Sequence, residues 1–145
     1  MIQVENIAKV MGGAGVLHGA IANLRELARE VERGLPKRTV REVGRHLFAD
    51  DRDITHGFVY RLVPEASYKR RKERLTPEES ARVERIARVV ATAEFVWDDP
   101  VDSREFLMSP NPSLEGQTPL DVAMSEIGAR RVEALLWDIF YGHPA

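Results

Sequence analysis

Cysteine is absent from the 145 residues. That excludes disulfides, thiolate metal sites and a cysteine nucleophile, and it fits a reducing compartment. No apolar run reaches the roughly 20 residues that a membrane-spanning helix needs. The mostly apolar stretch from Val10 to Leu24 has neither a basic leader nor a cleavage site, so a cytoplasmic protein with no membrane partner is expected. His18, His46, His56 and His143 are scattered, and none pairs with another at the spacing of helical metal ligands. The glycines of "GGAGVLHG" are followed by no Lys-Ser or Lys-Thr, which leaves a loop or a helix entry rather than a phosphate cradle. Ser67, Ser80 and Ser125 lack a nucleophile-elbow context. The carboxylates fall where helix N-termini or solvent account for them. The expectation is no catalytic residue, no metal and no cofactor.

Charge is present in abundance and is unevenly spread. Residues 1–36 carry 4 basic and 4 acidic side chains, residues 37–74 carry 11 and 6, and residues 75–145 carry 6 and 13. A basic middle beside an acidic end suggests two surfaces with different partners, because phosphate attracts the first and repels the second.

Apolar residues recur at three-and-four spacing along most of the chain, and strict alternation over a strand length is hard to find, so the fold class is all-α. Leu17, Ile21, Leu24, Ala28 and Val31 form one such stripe, stopped by Gly34-Leu35-Pro36. Thr39 heads a segment with Val40, Val43, Leu47 and Phe48 on its apolar side, and Asp50, Asp51 and Asp53 make a polar break. Three short helices in succession, the last two over Ile54 to Leu62 and Ala66 to Arg74, have the rhythm of a helix-turn-helix unit. The clearest start follows: Thr76 as cap, Pro77 at the first helical position and Glu79 completing a capping box. Val83, Ile86, Val90, Ala93 and Trp97 make one face of that long helix, which Asp98-Asp99-Pro100 ends. "SPNPSLEGQ" reads as a loop, and Asn111 to Thr118 within and just beyond it as a rigid turn that sets the last two helices. Thr118-Pro119 repeats the capped start, and Val132, Leu135, Leu136, Ile139 and Phe140 line a final helix that Gly142 stops. Trp97 and Trp137 are read as core or dimer-interface residues. A domain boundary is expected between residues 75 and 76.

The basic run is the strongest candidate for a binding site. On a helix, Ser67, Arg70, Arg71 and Arg74 share one side, while Tyr68 and Lys72 share a neighbouring stripe. Together with Lys69 they form the expected DNA-binding set, arginine offering paired donors to guanine edges and lysine meeting phosphates.

The order of motifs supplies a further reading. Gly34-Leu35-Pro36 precedes "VPEASYKRRKERLTPEESARVERIARVVATAEFVW", which precedes "FLMSPNPSLEGQTPLDVAMSEIGARRVEALLWDIFYG". From about Met11 to Gly142 the chain resembles the Xre/MbcA/ParS antitoxins, most specifically over "RLTPEES", "PNPSLEGQTPLD" and "GARRVEALL". The resemblance implies an N-terminal Xre-like helix-turn-helix region, a C-terminal toxin-binding region, a homodimer, a RES-domain toxin partner that degrades NAD, and repression of its own operon at operator DNA. It also implies that the C-terminal end, at Tyr141, Gly142 and His143, reaches the toxin's NAD-binding cleft. Ser67-Tyr68 stands where the family pattern carries Thr-Leu, so an operator sequence does not transfer. The alternative reading is a stand-alone helix-turn-helix regulator with no toxin partner.

Overall fold

A computed structural model of the chain describes residues 2–49 and 51–142. Among them the helices are α1 (Val4–Val10), α2 (Ala14–Leu17), α3 (Leu24–Arg33), α4 (Arg38–Phe48), α5 (Arg52–Leu62), α6 (Glu65–Arg70), α7 (Pro77–Trp97), α8 (Pro100–Met108), α9 (Pro119–Val122) and α10 (Glu126–Tyr141), with a 3-10 turn at Pro112–Leu114. No strand forms among the described residues, and the extended pairing present is an isolated antiparallel bridge between Pro36 and Arg74. The fold is all-α, as the periodicity indicates.

The helices gather into two units, residues 3–87 and the residues from Arg88 onward. The capped start of α7 belongs to the first of these, which continues through Ala87. In that unit Ile7, Met11, Leu35, Val40, Val43, Leu47, Leu62, Val83 and Ile86 are buried. Gly44 lets α4 and α5 approach closely, since a Cβ there would stand 2.9 Å from Thr55 Cγ2, and Phe48 meets Phe58 edge-on at 5.5 Å between centroids. In the second unit Val90, Ala93, Leu107, Leu114, Leu120, Ala129, Val132 and Leu136 are buried.

Two helical expectations need correction. The stripe from Leu17 to Val31 is not one helix: His18 adopts a left-handed φ of 61°, Gly19 follows at 145°, and α3 begins only at Leu24. Asn23 caps it, its Oδ1 accepting from Glu26 N at 2.9 Å while Glu26 Oε2 accepts from Ala22 N at 2.7 Å. Leu27 is the buried residue of α3, whereas Leu24 and Ala28 face solvent. The second correction concerns the basic helix, which ends at Arg70 rather than Arg74.

Other boundaries follow their sequence signals. Asp51 Oδ1 caps α5 by accepting from Ile54 N at 3.1 Å, Asp99 caps α8, Thr118 caps α9, and Gly142 closes α10 at a left-handed φ of 70°. Asp50 lies outside the described residues.

Candidate functional site

The helix-turn-helix candidate is α5, the Val63-Pro64 turn and α6. Thr55, Phe58, Val59 and Leu62 bury one face of α5, and Arg82 Nε on α7 donates to the carbonyl of Leu62 at 2.8 Å, satisfying an end group that the helix itself leaves open. Pro64 then starts α6 without an unsatisfied N–H. Six residues make α6, and the seven expected DNA contacts divide sharply on it.

Lys69, Arg70 and Lys72 are exposed, and Ser67 is partly so. Lys69 Nζ lies 2.7 Å from Glu65 Oε1, and Arg70 Nη2 reaches Ser67 Oγ at 3.4 Å. Tyr68 instead points inward, 6 % exposed, with Lys37 Nζ 4.3 Å from its ring centroid. Burial raises the pKa of its hydroxyl, and the adjacent Arg41 guanidinium opposes that rise.

Arg71 and Arg74 lie beyond the helix in an extended segment stitched to Gly34-Leu35-Pro36-Lys37. Lys37 N donates to Glu73 O at 2.8 Å and Leu75 N to Leu35 O at 2.9 Å. Arg74 Nη1 donates to Gly34 O at 2.7 Å. Arg71 Nε and Nη2 give paired bonds to the two carboxylate oxygens of Glu79, at 2.9 and 3.1 Å. The same Glu79 closes the capping box of α7, accepting from Thr76 N at 2.8 Å and donating its own N–H to Thr76 Oγ1 at 3.2 Å. Ser80 Oγ accepts from Leu35 N at 2.7 Å in a buried site. Gly34 is required here twice over: its φ is +96°, and a Cβ would collide with the carbonyl oxygen of Leu75. Arg71 and Arg74, two of the five cations in the basic run, therefore belong to a clasp that joins the Gly34-Leu35-Pro36 loop to α7. The outward-facing members of the expected DNA-binding set are Ser67, Lys69, Arg70 and Lys72.

The second unit carries a different surface. Phe95, Trp137, Phe140 and Tyr141 form a cluster with centroid separations of 5.1 to 6.1 Å. Phe95, Phe140 and Tyr141 are 47 %, 45 % and 63 % exposed. Phe140, expected in the apolar stripe of α10, thus leaves the core and joins an open aromatic patch. Trp97 is 37 % exposed and meets Phe106 at 5.7 Å, so neither tryptophan is fully buried. Phe95 carries no expectation from the sequence, and Phe140 reads there as part of the core-facing stripe rather than of a surface patch. The available signal was Trp137, Phe140 and Tyr141 at three-and-four spacing in the last turns before a helix-ending glycine. Of the expected terminal contacts, Tyr141 and Gly142 adjoin this patch and His143 lies outside the described residues.

The loop between α8 and α9 is closed on itself. Asn111 N donates to Gln117 O at 3.0 Å and Gly116 N to Asn111 O at 2.9 Å, while Leu114 is buried beneath. Arg131 on α10 grips its tip through two 2.9 Å bonds to Glu115, which hold that carboxyl below its ordinary pKa. Among the described residues no three His, Asp or Glu side chains converge where a metal could be held, and no helix is long and apolar enough to cross a membrane.

An α-helical helix-turn-helix unit followed by a second helical unit with an exposed aromatic patch defines a two-part binding protein. Residues 26–88 match the antitoxin Xre-like helix-turn-helix domain, and residues 92–142 match the antitoxin Xre/MbcA/ParS C-terminal toxin-binding domain. The chain belongs to the Xre/MbcA/ParS antitoxin family. It is also similar to the protein named antitoxin Xre of Pseudomonas putida, at 32 % identity over 85 residues. That alignment covers 57 % of this chain and only 54 %, about half, of the relative.

Proposed function

We propose that this chain is the antitoxin of a type II toxin-antitoxin pair. Its C-terminal unit binds and neutralises a RES-domain, NAD-degrading toxin, and its helix-turn-helix unit binds operator DNA and represses its own operon. It acts as a cytoplasmic homodimer without catalysis or cofactor. The observation that carries the toxin half of this reading is the open patch of Phe95, Trp137, Phe140 and Tyr141 inside the segment matched to a toxin-binding domain. Clustered exposed aromatics bury large area at low conformational cost and mark protein interfaces.

Co-expression with a RES-domain toxin tests this reading. Intact chain should restore growth. A Phe140→Ser, Tyr141→Ser double variant should protect poorly while still melting cooperatively, and deletion of residues 142–145 should weaken protection if the tail enters the toxin's cleft. Full protection by both variants would move inhibition to another surface. Operator binding without any toxin interaction would leave a stand-alone regulator.

The DNA half rests on the outward cations Lys69 and Arg70 of α6 and Lys72 just beyond it. Arg70→Ala should cost roughly 1 to 3 kcal/mol of operator affinity if it reads a base edge. Lys69→Ala should lower the slope of log affinity against log salt by about one if it meets a phosphate. Gel-shift titrations across a salt series measure both, and unchanged values in both variants would remove α6 from the DNA interface.

A further inference from the structure

Beside α6, whose Tyr68 lines it, the first unit contains an open cavity of about 560 Å³. Lys37, Arg38, Arg41, Lys72 and Arg74 line it, against a single lining carboxylate, Glu73. Arg38 is paired with Glu42 at 3.3 Å, and among the described residues no carboxylate holds any of the other four cations in an ion pair. Lys37 Nζ donates to the carbonyl of Arg71 at 3.1 Å, Arg74 to the carbonyl of Gly34 at 2.7 Å, and Arg41 lies against the hydroxyl of Tyr68. Neutral acceptors orient these three side chains and leave their charge uncompensated. Two lysines and two arginines converging on one space repel one another, and an anion placed among them converts that repulsion into several charge-assisted bonds.

We infer that this cavity binds a phosphate group. Phosphate fits better than a carboxylate because it brings more acceptor oxygens, spread tetrahedrally, and can meet guanidinium and ammonium donors from different directions at once. The cavity offers charge rather than base recognition, since one face of the Tyr68 ring is already occupied by Lys37 Nζ. The phosphate has two sources, the backbone of DNA docked on the neighbouring α6 or a free phosphoanion. The first source rests on the DNA-binding reading above; the second does not. Arg41 lies on α4, outside the basic run that the sequence made conspicuous, so its involvement separates this site from that run.

Inorganic pyrophosphate is the probe, titrated into the full chain and followed by NMR of the Arg and Lys side-chain signals. Saturable binding to the wild type is expected, weakened roughly tenfold in Arg41→Gln by loss of one charge-assisted contact. Arg41 is exposed, so this variant should keep its melting temperature, and Lys37→Gln, at a residue that also lines the cavity outside the basic run, stands in for it if it does not. On operator duplex, a salt slope reduced by about one in Arg41→Gln assigns the phosphate to DNA. An unchanged slope together with weakened pyrophosphate binding assigns it to a free anion. If neither pyrophosphate affinity nor salt slope responds, the inference is overturned. Arg70→Ala serves as the control: should it weaken duplex binding while Arg41→Gln changes nothing, the DNA reading survives and the cavity does not. Should the protein bind no duplex, pyrophosphate alone decides.

Discussion

An alanine at Gly128 is expected to unfold the C-terminal unit. α10 is capped by Ser125, whose Oγ accepts from Gly128 N at 3.0 Å, and the chain arrives there from α9 only three residues after Val122. A Cβ on Gly128 would collide with the backbone carbonyl oxygen of Val122 and stand 2.8 Å from the capping Ser125 Oγ. The hydroxyl can rotate away, but the carbonyl cannot move without opening α9, which Thr118 caps and Leu120 anchors in the core. Overpacking against backbone in a buried site costs on the order of 3 kcal/mol or more. That is a large share of what holds a small unit together. Urea denaturation should show the loss directly, and hydrogen exchange should place it in residues 88–142. Gly15 provides the contrast. A Cβ there meets nothing within 4 Å, and alanine in its helix should stabilise by up to about 1 kcal/mol. If Gly128→Ala melts within about 0.5 kcal/mol of the wild type, the close approach of α9 and α10 is not what constrains this glycine.

Where the chain carries its own local capping chemistry, the element boundaries were legible beforehand. The Thr76-Pro77-Glu79 start, the Asp98-Asp99-Pro100 break and the Gly142 stop all behave as their side chains dictate. What escaped was decided by residues distant in sequence. Between Ala66 and Leu75 there is no glycine or proline to end a helix, yet α6 stops at Arg70 because residues 73 and 75 trade intrahelical bonds for backbone bonds to residues 37 and 35. No periodicity within the segment announces that exchange. The missed break after Leu17 is different in kind. Gly19 and the Asn23-to-Glu26 spacing were visible, and three-and-four spacing of apolar residues overrode them. The aromatic patch was hidden for a third reason: apolar residues at helical spacing read as core, and only the packing reveals that Phe140 has nothing over it.

The same clasp predicts a stability signature that separates folding from DNA recognition. Glu79 is 4 % exposed and receives bonds from Arg71 Nε, Arg71 Nη2 and Thr76 N. Glu79→Ala leaves those donors unpaired at the start of α7, and removing one partner of such a network should cost about 2 to 4 kcal/mol. Arg71→Ala should also destabilise, and the double variant should be little worse than Glu79→Ala alone, because both single changes break one shared interaction. The pH dependence has a defined sign. Arg71's hydrogen bonds hold the Glu79 carboxyl below its ordinary pKa, although burial pushes it the other way. The stability this group contributes is therefore complete above the unfolded value of roughly 4.3 and is lost as pH falls through the lower folded value. Urea midpoints measured from neutral pH down to acid should fall in the wild type over that range and fall less in Glu79→Gln. If Arg71 is chiefly a reader of DNA, Arg71→Ala will instead melt like the wild type and its duplex affinity alone will drop. A clasp gives the opposite pattern: lower stability at every pH above that window, additive with the exposed Arg70→Ala change, and duplex affinity restored wherever the folded population is restored.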